Sequence, residues 1–346
     1  MKHGLNKQDP SSPGIERRFM IVLFTVLALI VVMLLTSINT GIVTLTPVEV
    51  LKTLLGQGTD RQELVLFQFR LPRIVIAMLV GAGLAVSGGV LQGITRNPLA
   101  EPAILGINAG AGLMVTLFVA FFPVASGMPI YALPLLALTG GGVTAAIIFG
   151  LSYSRSEGLL TTRMLLVGIG VAAAISAVML LLTLGMHPDK YQFVVSWLAG
   201  SIWGTNWTFV LALLPWLLIL LPYVYSKSQT LNILSLGEQM ATGLGASVTR
   251  EQIMLLAAAV GLAASSVSVS GGIGFVGLVA PHLARQLVGP RHQLQLPVAA
   301  CIGALLVLTA DMLARWILQP TELATGVVVA IIGAPYFLYL LAKTRV

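Results

Sequence analysis

Long apolar runs separated by short polar breaks organise this chain, and the runs have the length of bilayer spans. The first is Phe19 to Leu35, almost wholly apolar and preceded by Arg17-Arg18. Further runs lie near 73–95, 101–122, 130–152, 164–184, 207–225, 250–269, 275–288, 294–313 and 325–342, which makes about ten. A helix of about 20 residues crosses a hydrocarbon layer of about 30 Å. The glycine-rich junction 270–274 and the short run after it leave room for a half-span. Between the first run and Pro72 the sequence is mixed and reads as an extramembrane connection, with a short helix over Pro47–Leu55. A cleaved signal peptide is the other reading of the first run. Its apolar core would span about 7–15 residues before small residues, and Thr36-Ser37-Ile38-Asn39 is a poor match. An all-α polytopic membrane protein with an uncleaved first helix is therefore expected.

Within the second run, Ala77, Gly81, Ala85, Gly89 and Gly93 recur every four residues. On a helix they form a stripe with almost no side chain. In water each interior glycine costs about 1 kcal/mol relative to alanine. In lipid the helix is enforced by its backbone hydrogen bonds, and small residues become the packing surface. The same spacing links Gly142, Ala146 and Gly150; Gly168, Ala172 and Ser176; Ala257, Gly261 and Ser265; and Gly326, Ala330 and Ala334. A tightly packed bundle with small-residue interfaces is expected, as one domain over 19–342. It would carry polar tails at 1–18 and 343–346 and a long loop at 227–250.

Composition agrees: 57% of the 346 residues are hydrophobic and 9% charged, against roughly 25% charged in soluble domains. The net charge of +7 does not point to nucleic acid, because no cluster of Lys and Arg exceeds a pair. Alternating the loops across the membrane puts thirteen of the nineteen cations on the side of the termini, Arg96, Arg155, Arg163, Lys227, Arg250, Arg285 and Arg291. The acids divide evenly. Cations mark cytoplasmic loops, so both termini are expected on the cytoplasmic side. The single cysteine, Cys301, allows no intramolecular disulfide.

Several chemistries lack their residues. No acid falls near the middle of a span: Glu101 follows an elbow and Asp311 is close to a helix end. This disfavours a proton- or sodium-coupled carrier. His3, His187, His282 and His292 have no metal-ligand spacing, so no metal site is expected, and His282 reads as an interfacial structural residue. No Gly-Lys pair exists, which removes the phosphate loop of ATPases. No nucleophile–base pair marks an enzyme.

Three constellations remain. Arg70 and Arg73 flank Leu71-Pro72 before the stripe helix, and Arg315 follows Asp311 by four residues at another helix end on the same side. They read either as snorkelling interfacial arginines or as a cationic rim for an acidic partner. On the other side, Gly237 and Gly245 bracket a short helix over Glu238–Thr242, in a loop long enough for partner docking. Asn97-Pro98-Leu99 and Thr161-Thr162-Arg163 sit where polar elbows meet small-residue helices, as gates or as helix caps.

These residues lie in eight segments: RLPR at 70–73, SGGVLQGITRNPLAEPAILG at 87–106, RMLLVGIG at 163–170 and WLAGSIWG at 197–204, then LGEQMATGLG at 236–245, GGIGFVGLVAPHLAR at 271–285, ADMLAR at 310–315 and TGVVVAIIGAPYFLYLL at 325–341. In their order and spacing, from about residue 65 to the end, the chain resembles the permeases of type II ABC importers for iron–siderophores, haem and cobalamin. One difference is Leu323-Ala324-Thr325-Gly326, where many members carry Leu-Pro before the glycine. The resemblance implies ten helices per subunit and a second permease subunit, a copy or a related chain. It also implies two cytoplasmic ATPase subunits that use ATP and magnesium, and an external binding protein that delivers a metal chelate. This chain would bind no cofactor and catalyse nothing. Arg70, Arg73 and Arg315 would pair with acids on the binding protein. Leu236, Gly237, Glu238, Ala241, Leu244 and Gly245 would form the coupling element in a cleft of the ATPase. Asn97, Leu99, Thr161 and Thr162 would close the cytoplasmic end of the pathway. An ion-coupled carrier, or a membrane receptor or scaffold that moves nothing, are the competing functions.

Overall fold

The computed structural model describes residues 13–40, 45–122, 132–154, 158–159, 161–202, 204–318 and 321–343. Its elements run α1 (Pro13–Asn39), α2 (Pro47–Leu54), α3 (Asp60–Glu63), a π-helical stretch (Leu64–Arg70), α4 (Leu71–Thr95), a 3-10 turn (Pro102–Leu105), α5 (Ile107–Phe121) and α6 (Ala132–Ser152). Tyr153–Ser154 and Gly158–Leu159 pair as a minimal antiparallel hairpin. There follow α7 (Thr161–Leu184), α8 (Pro188–Leu198), α9 (Trp207–Ser226), α10 (Ser228–Ser235), α11 (Glu238–Gly243), α12 (Val248–Ser270), α13 (Val276–Val288), α14 (His292–Ile317) and α15 (Thr325–Lys343). Among the described residues, seven helices are long and apolar enough to cross a membrane, and α5 and α15 are shorter apolar helices. With α13 they occupy the ten runs that the hydropathy places.

α4 is the centre of the bundle. Its stripe faces α14: a side chain at Gly81 would overlap the Gly303 carbonyl, and a Cβ at Gly93 would stand 2.8 Å from His292 Nε2. A second glycine, Gly88, lies against the Gly277 backbone of α13. On α12, the Ser87 hydroxyl donates to the Ala259 carbonyl at 2.6 Å. Backbone-to-backbone approach on the α13 and α14 sides is what the missing side chains allow, and dispersion over such contacts holds helices together where lipid offers no hydrophobic drive.

The stripe on α6 does not pack within the chain. A Cβ at Gly142 or Gly150 would meet no atom within 4 Å, and Ala146 is exposed. Spacing of four says that one face is small, and nothing about what covers it. The peripheral helices are α1 and α7, with 6% and 11% of their apolar windows buried.

The expected extramembrane connection up to Pro72 is helical from Asp60 onward, continuous with α4. Thr59 caps its start, accepting from the Gln62 N–H while Gln62 accepts from the Thr59 N–H at 2.9 Å. Pro72 has no N–H to give, and the wider π turns just before it accommodate the missing bond. α2 occupies the span expected for the short helix. Its Thr46–Glu49 capping box holds the Glu49 carboxyl below its usual range through the Thr46 N–H and hydroxyl. Helices α8 and α10 have no counterpart in the hydropathy pattern.

Candidate functional site: two ends of one bundle

The three arginines singled out in the sequence meet at one end of the bundle. The Asp311 carboxylate, fully buried on α14, accepts from Arg73 Nε at 2.9 and 3.1 Å. It also pairs with Arg73 Nη2 at 2.9 Å and Arg315 Nε at 3.2 Å. The Thr325 hydroxyl donates to it at 3.2 Å, which ties the start of α15 to the cluster. Arg73 Nη1 reaches Glu322 at 2.8 Å. Arg315 donates to the Ser37 hydroxyl at 2.6 Å and the Thr40 carbonyl at 3.0 Å, and Arg70 donates to the Ile38 carbonyl. Arg70 and Arg315 are therefore buried, and their donors go to this chain's own groups at the end of α1. Glu322 keeps a quarter of its side chain exposed. Three cations face two carboxylates, so the cluster retains a positive balance.

At the opposite end, α10 and α11 stand outside the apolar helices. Gly237 adopts a φ of +105°, which only glycine takes without strain, and this turns the chain into α11. Ala241 is buried, and its N–H donates to the Gly237 carbonyl at 2.9 Å. Leu236, Met240 and Leu244 are each more than half exposed. The six-residue helix and the residues that flank it thus present three large apolar side chains, Met240 on the helix and Leu236 and Leu244 at its two ends, beyond the membrane-spanning segments. Glu238 is exposed and lies 3.5 Å from Gln252. Gly245, also at positive φ, closes the turn.

This knob is firmly mounted. Lys227, at the start of α10, pairs with Glu251 of α12 at 2.8 Å. Asn232 of α10 accepts from the His292 N–H at 2.9 Å and meets His292 Nδ1 at 2.7 Å, while its amide donates to Gln293 at 2.7 Å. The Asn232 side chain therefore caps α14 from another helix. No sequence signal joins residues sixty positions apart, and this contact was not foreseen. Arg96 Nη1 lies 3.3 Å from where a Gly237 Cβ would stand, so the end of α4 borders the knob as well.

The candidate gate segments lie at this same end. Asn97 Oδ1 accepts the Leu99 N–H at 2.9 Å, an Asx turn that shapes the elbow after α4. Asn97 and Leu99 are half-buried, and Thr162 is exposed in the first turn of α7. The Thr161 side chain, Arg155 and the tails at 1–12 and 344–346 lie outside the described residues. α7 packs against the Pro102–Leu105 turn that continues from the elbow, so the two segments occupy neighbouring elements. Beside them Glu101 is buried and accepts the N–H of Phe275, the left-handed residue that begins α13. Gln92 donates to the Gly277 carbonyl at 3.3 Å. The sequence placed Glu101 after an elbow, without indicating that the carboxylate caps another helix.

A helical bundle with a central glycine-packed helix, a charged lock at one end and an exposed apolar knob at the other is the architecture of a polytopic membrane protein. The comparisons make the class specific. Residues 29–343 match the FecCD transport family. The chain is 49% identical over 330 residues to the iron(3+)-hydroxamate import system permease protein FhuG of Bacillus subtilis, covering 94% of this chain and 98% of that one. It is 42% identical over 324 residues to the iron-uptake system permease protein FeuC of the same organism, covering 92% and 96%. A solved structure described as an inward-facing conformation of a metal-chelate type ABC transporter superposes with a TM-score of 0.82 at 35% identity, over 94% of this chain and 99% of that one. The chain belongs to the FecCD transport family, the permeases of type II ABC importers.

Proposed function

We propose that this chain is the membrane conduit of an importer for an iron(3+) chelate of the siderophore type, handed over by an external binding protein and released into the bacterial cytoplasm. The iron-import names of the relatives support the cargo. The observation that carries the mechanism is the α11 segment: Leu236, Met240 and Leu244 are exposed on this helix and at its two ends, which are mounted through α10 onto α12 and α14. Exposed apolar side chains outside a membrane fit a partner protein, here the cleft of an ATPase subunit. Two such subunits, using ATP and magnesium, supply the work. This chain binds no cofactor and catalyses nothing itself.

In this reading both termini and α11 are cytoplasmic, the Asp311 cluster faces outward, and a second permease chain completes the pathway. The weakly buried α7 supplies surface for that pairing. Asn97, Leu99, Thr161 and Thr162 close the cytoplasmic end. Rigid tilting suits a glycine-packed bundle, which switches between packings more readily than it deforms. At the outer end, acids of the binding protein compete with the partly exposed Glu322 for Arg73, and Arg70 and Arg315 hold the platform in register. Charge reversal at Arg73 should weaken capture of the binding protein, with partial rescue from reversing an acid on its surface.

The test of the coupling role is a double variant, Met240→Asp with Leu244→Asp, in the purified importer. These side chains contribute exposed apolar area, so the permease should keep its melting temperature. The ATPase subunits should co-purify at least tenfold less, in line with about 1.4 kcal/mol per decade of affinity. Undiminished co-purification would remove α11 from the interface.

A further inference from the structure

We propose that the cavity between the first turns of α1 and the α13–α14 connection binds the head group of an anionic phospholipid. The cavity measures about 380 Å³ and is lined by Gly14, Ile15 and Arg18 on one side and by Gly289, Pro290 and Arg291 on the other. Its depth in the membrane follows from the sequence. Arg18 is the last charge before the apolar run that starts at Phe19, so the site lies where α1 leaves the hydrocarbon.

The charge around the cavity is unbalanced. Arg18 and Arg291 line it, and Arg17 and Arg285, both exposed, stand on the adjoining turns. Among the described residues none of these four arginines is in a salt bridge. The facing acid is Glu16, exposed on the first turn of α1. Arg18 donates to the Gln286 carbonyl at 3.2 Å, which holds its guanidinium over the α13 end of the cavity. That carbonyl belongs to the C-terminal turn of α13, whose partial negative charge helps keep the arginine there.

Two of the lining residues, Gly14 and Gly289, carry no side chain. Gly289 ends α13 at a φ of +90°, and a Cβ at Gly289 or Gly14 would meet no atom within 4 Å. A phosphate diester in the cavity would have both lining guanidiniums as donors, each able to donate twice. The acyl chains then follow the exposed apolar face of α1, past Met20, Ile21 and Phe24. Basic pockets between membrane helices at the interface are established places for anionic head groups. The bound lipid would bridge Arg18 and Arg291 and fasten α1, of whose apolar window only 6% is buried by the rest of the chain.

The test uses the full-length protein in nanodiscs of phosphatidylglycerol and phosphatidylcholine in equal parts, with retained lipid read by native mass spectrometry. Wild type should retain phosphatidylglycerol over phosphatidylcholine by roughly tenfold, a preference of about 1.4 kcal/mol. The double variant Arg18→Gln with Arg291→Gln should lose that preference. Gly14→Phe, which fills the cavity and removes no charge, should lose it too. Arg163→Gln with Arg250→Gln removes the same charge from exposed positions elsewhere and should keep it. A wild type without preference, a control pair that loses as much as the cavity pair, or an undiminished Gly14→Phe would each overturn the proposal. Excess glycerophosphate should leave the lipid in place. Its displacing the lipid would mean a free-anion site and would overturn the lipid assignment.

Discussion

Asp311→Asn will destabilise the protein by about 3–5 kcal/mol, the cost of removing one partner from a buried ion pair and leaving charge without compensation. Asp311 is fully buried and is the carboxylate shared by Arg73 and Arg315. Asparagine fills the same space but leaves two guanidiniums facing each other with Glu322 alone. The expected result is a large fall in melting temperature in detergent and a low yield. Glu322→Gln, on a partly exposed acid, should cost about 1 kcal/mol or less. The pair Asp311→Asn with Arg315→Met should cost less than the sum of the single changes, because the second removes a cation that the first left unpaired. Additive losses would show that the two side chains do not share a lock.

The second large effect concerns glycine. Gly88→Ala on α4 would place a methyl inside the Gly277 backbone of α13, where no side chain can swing aside. Overpacking costs typically 1–3 kcal/mol, and backbone contacts lie at the upper end. Gly142→Ala on α6 meets open space within the chain. It should be neutral or favourable by up to about 1 kcal/mol from helix propensity. Thermal unfolding of the two variants side by side checks this directly. Equal behaviour would mean that the α4–α13 contact is looser than described.

The membrane helices could be read from the sequence because lipid leaves each span a single solution, a run of apolar residues closed by charge or by proline. The α4 stripe was legible for the same reason, whereas its partners Gly303 and His292 come from the packing of α14 against it. What the stripe on α6 faces was not legible, since a small surface serves a neighbour in the chain, a second subunit or lipid alike. At the site, the proximity of Asp311 and Arg315 was visible as an i, i+4 pair. That Arg73 completes the cluster, and that Arg315 turns inward to the end of α1, depends on helices that pack across more than two hundred residues, and Arg70 reaches that same end from thirty-two residues away. The burial of Glu101 and the bridge from Asn232 to His292 were hidden likewise. Single polar side chains that cap a distant helix leave no periodic trace.

The central claim is that this chain provides a route and no power of its own. The direct measurement is uptake of an iron(3+)–siderophore into sealed vesicles that hold the permease, alone or with its ATPase subunits and binding protein. Accumulation against a gradient is expected in the complete system with ATP inside the compartment that the ATPases face, and none with the permease alone under any proton or sodium gradient. Uphill accumulation by the permease alone would contradict it.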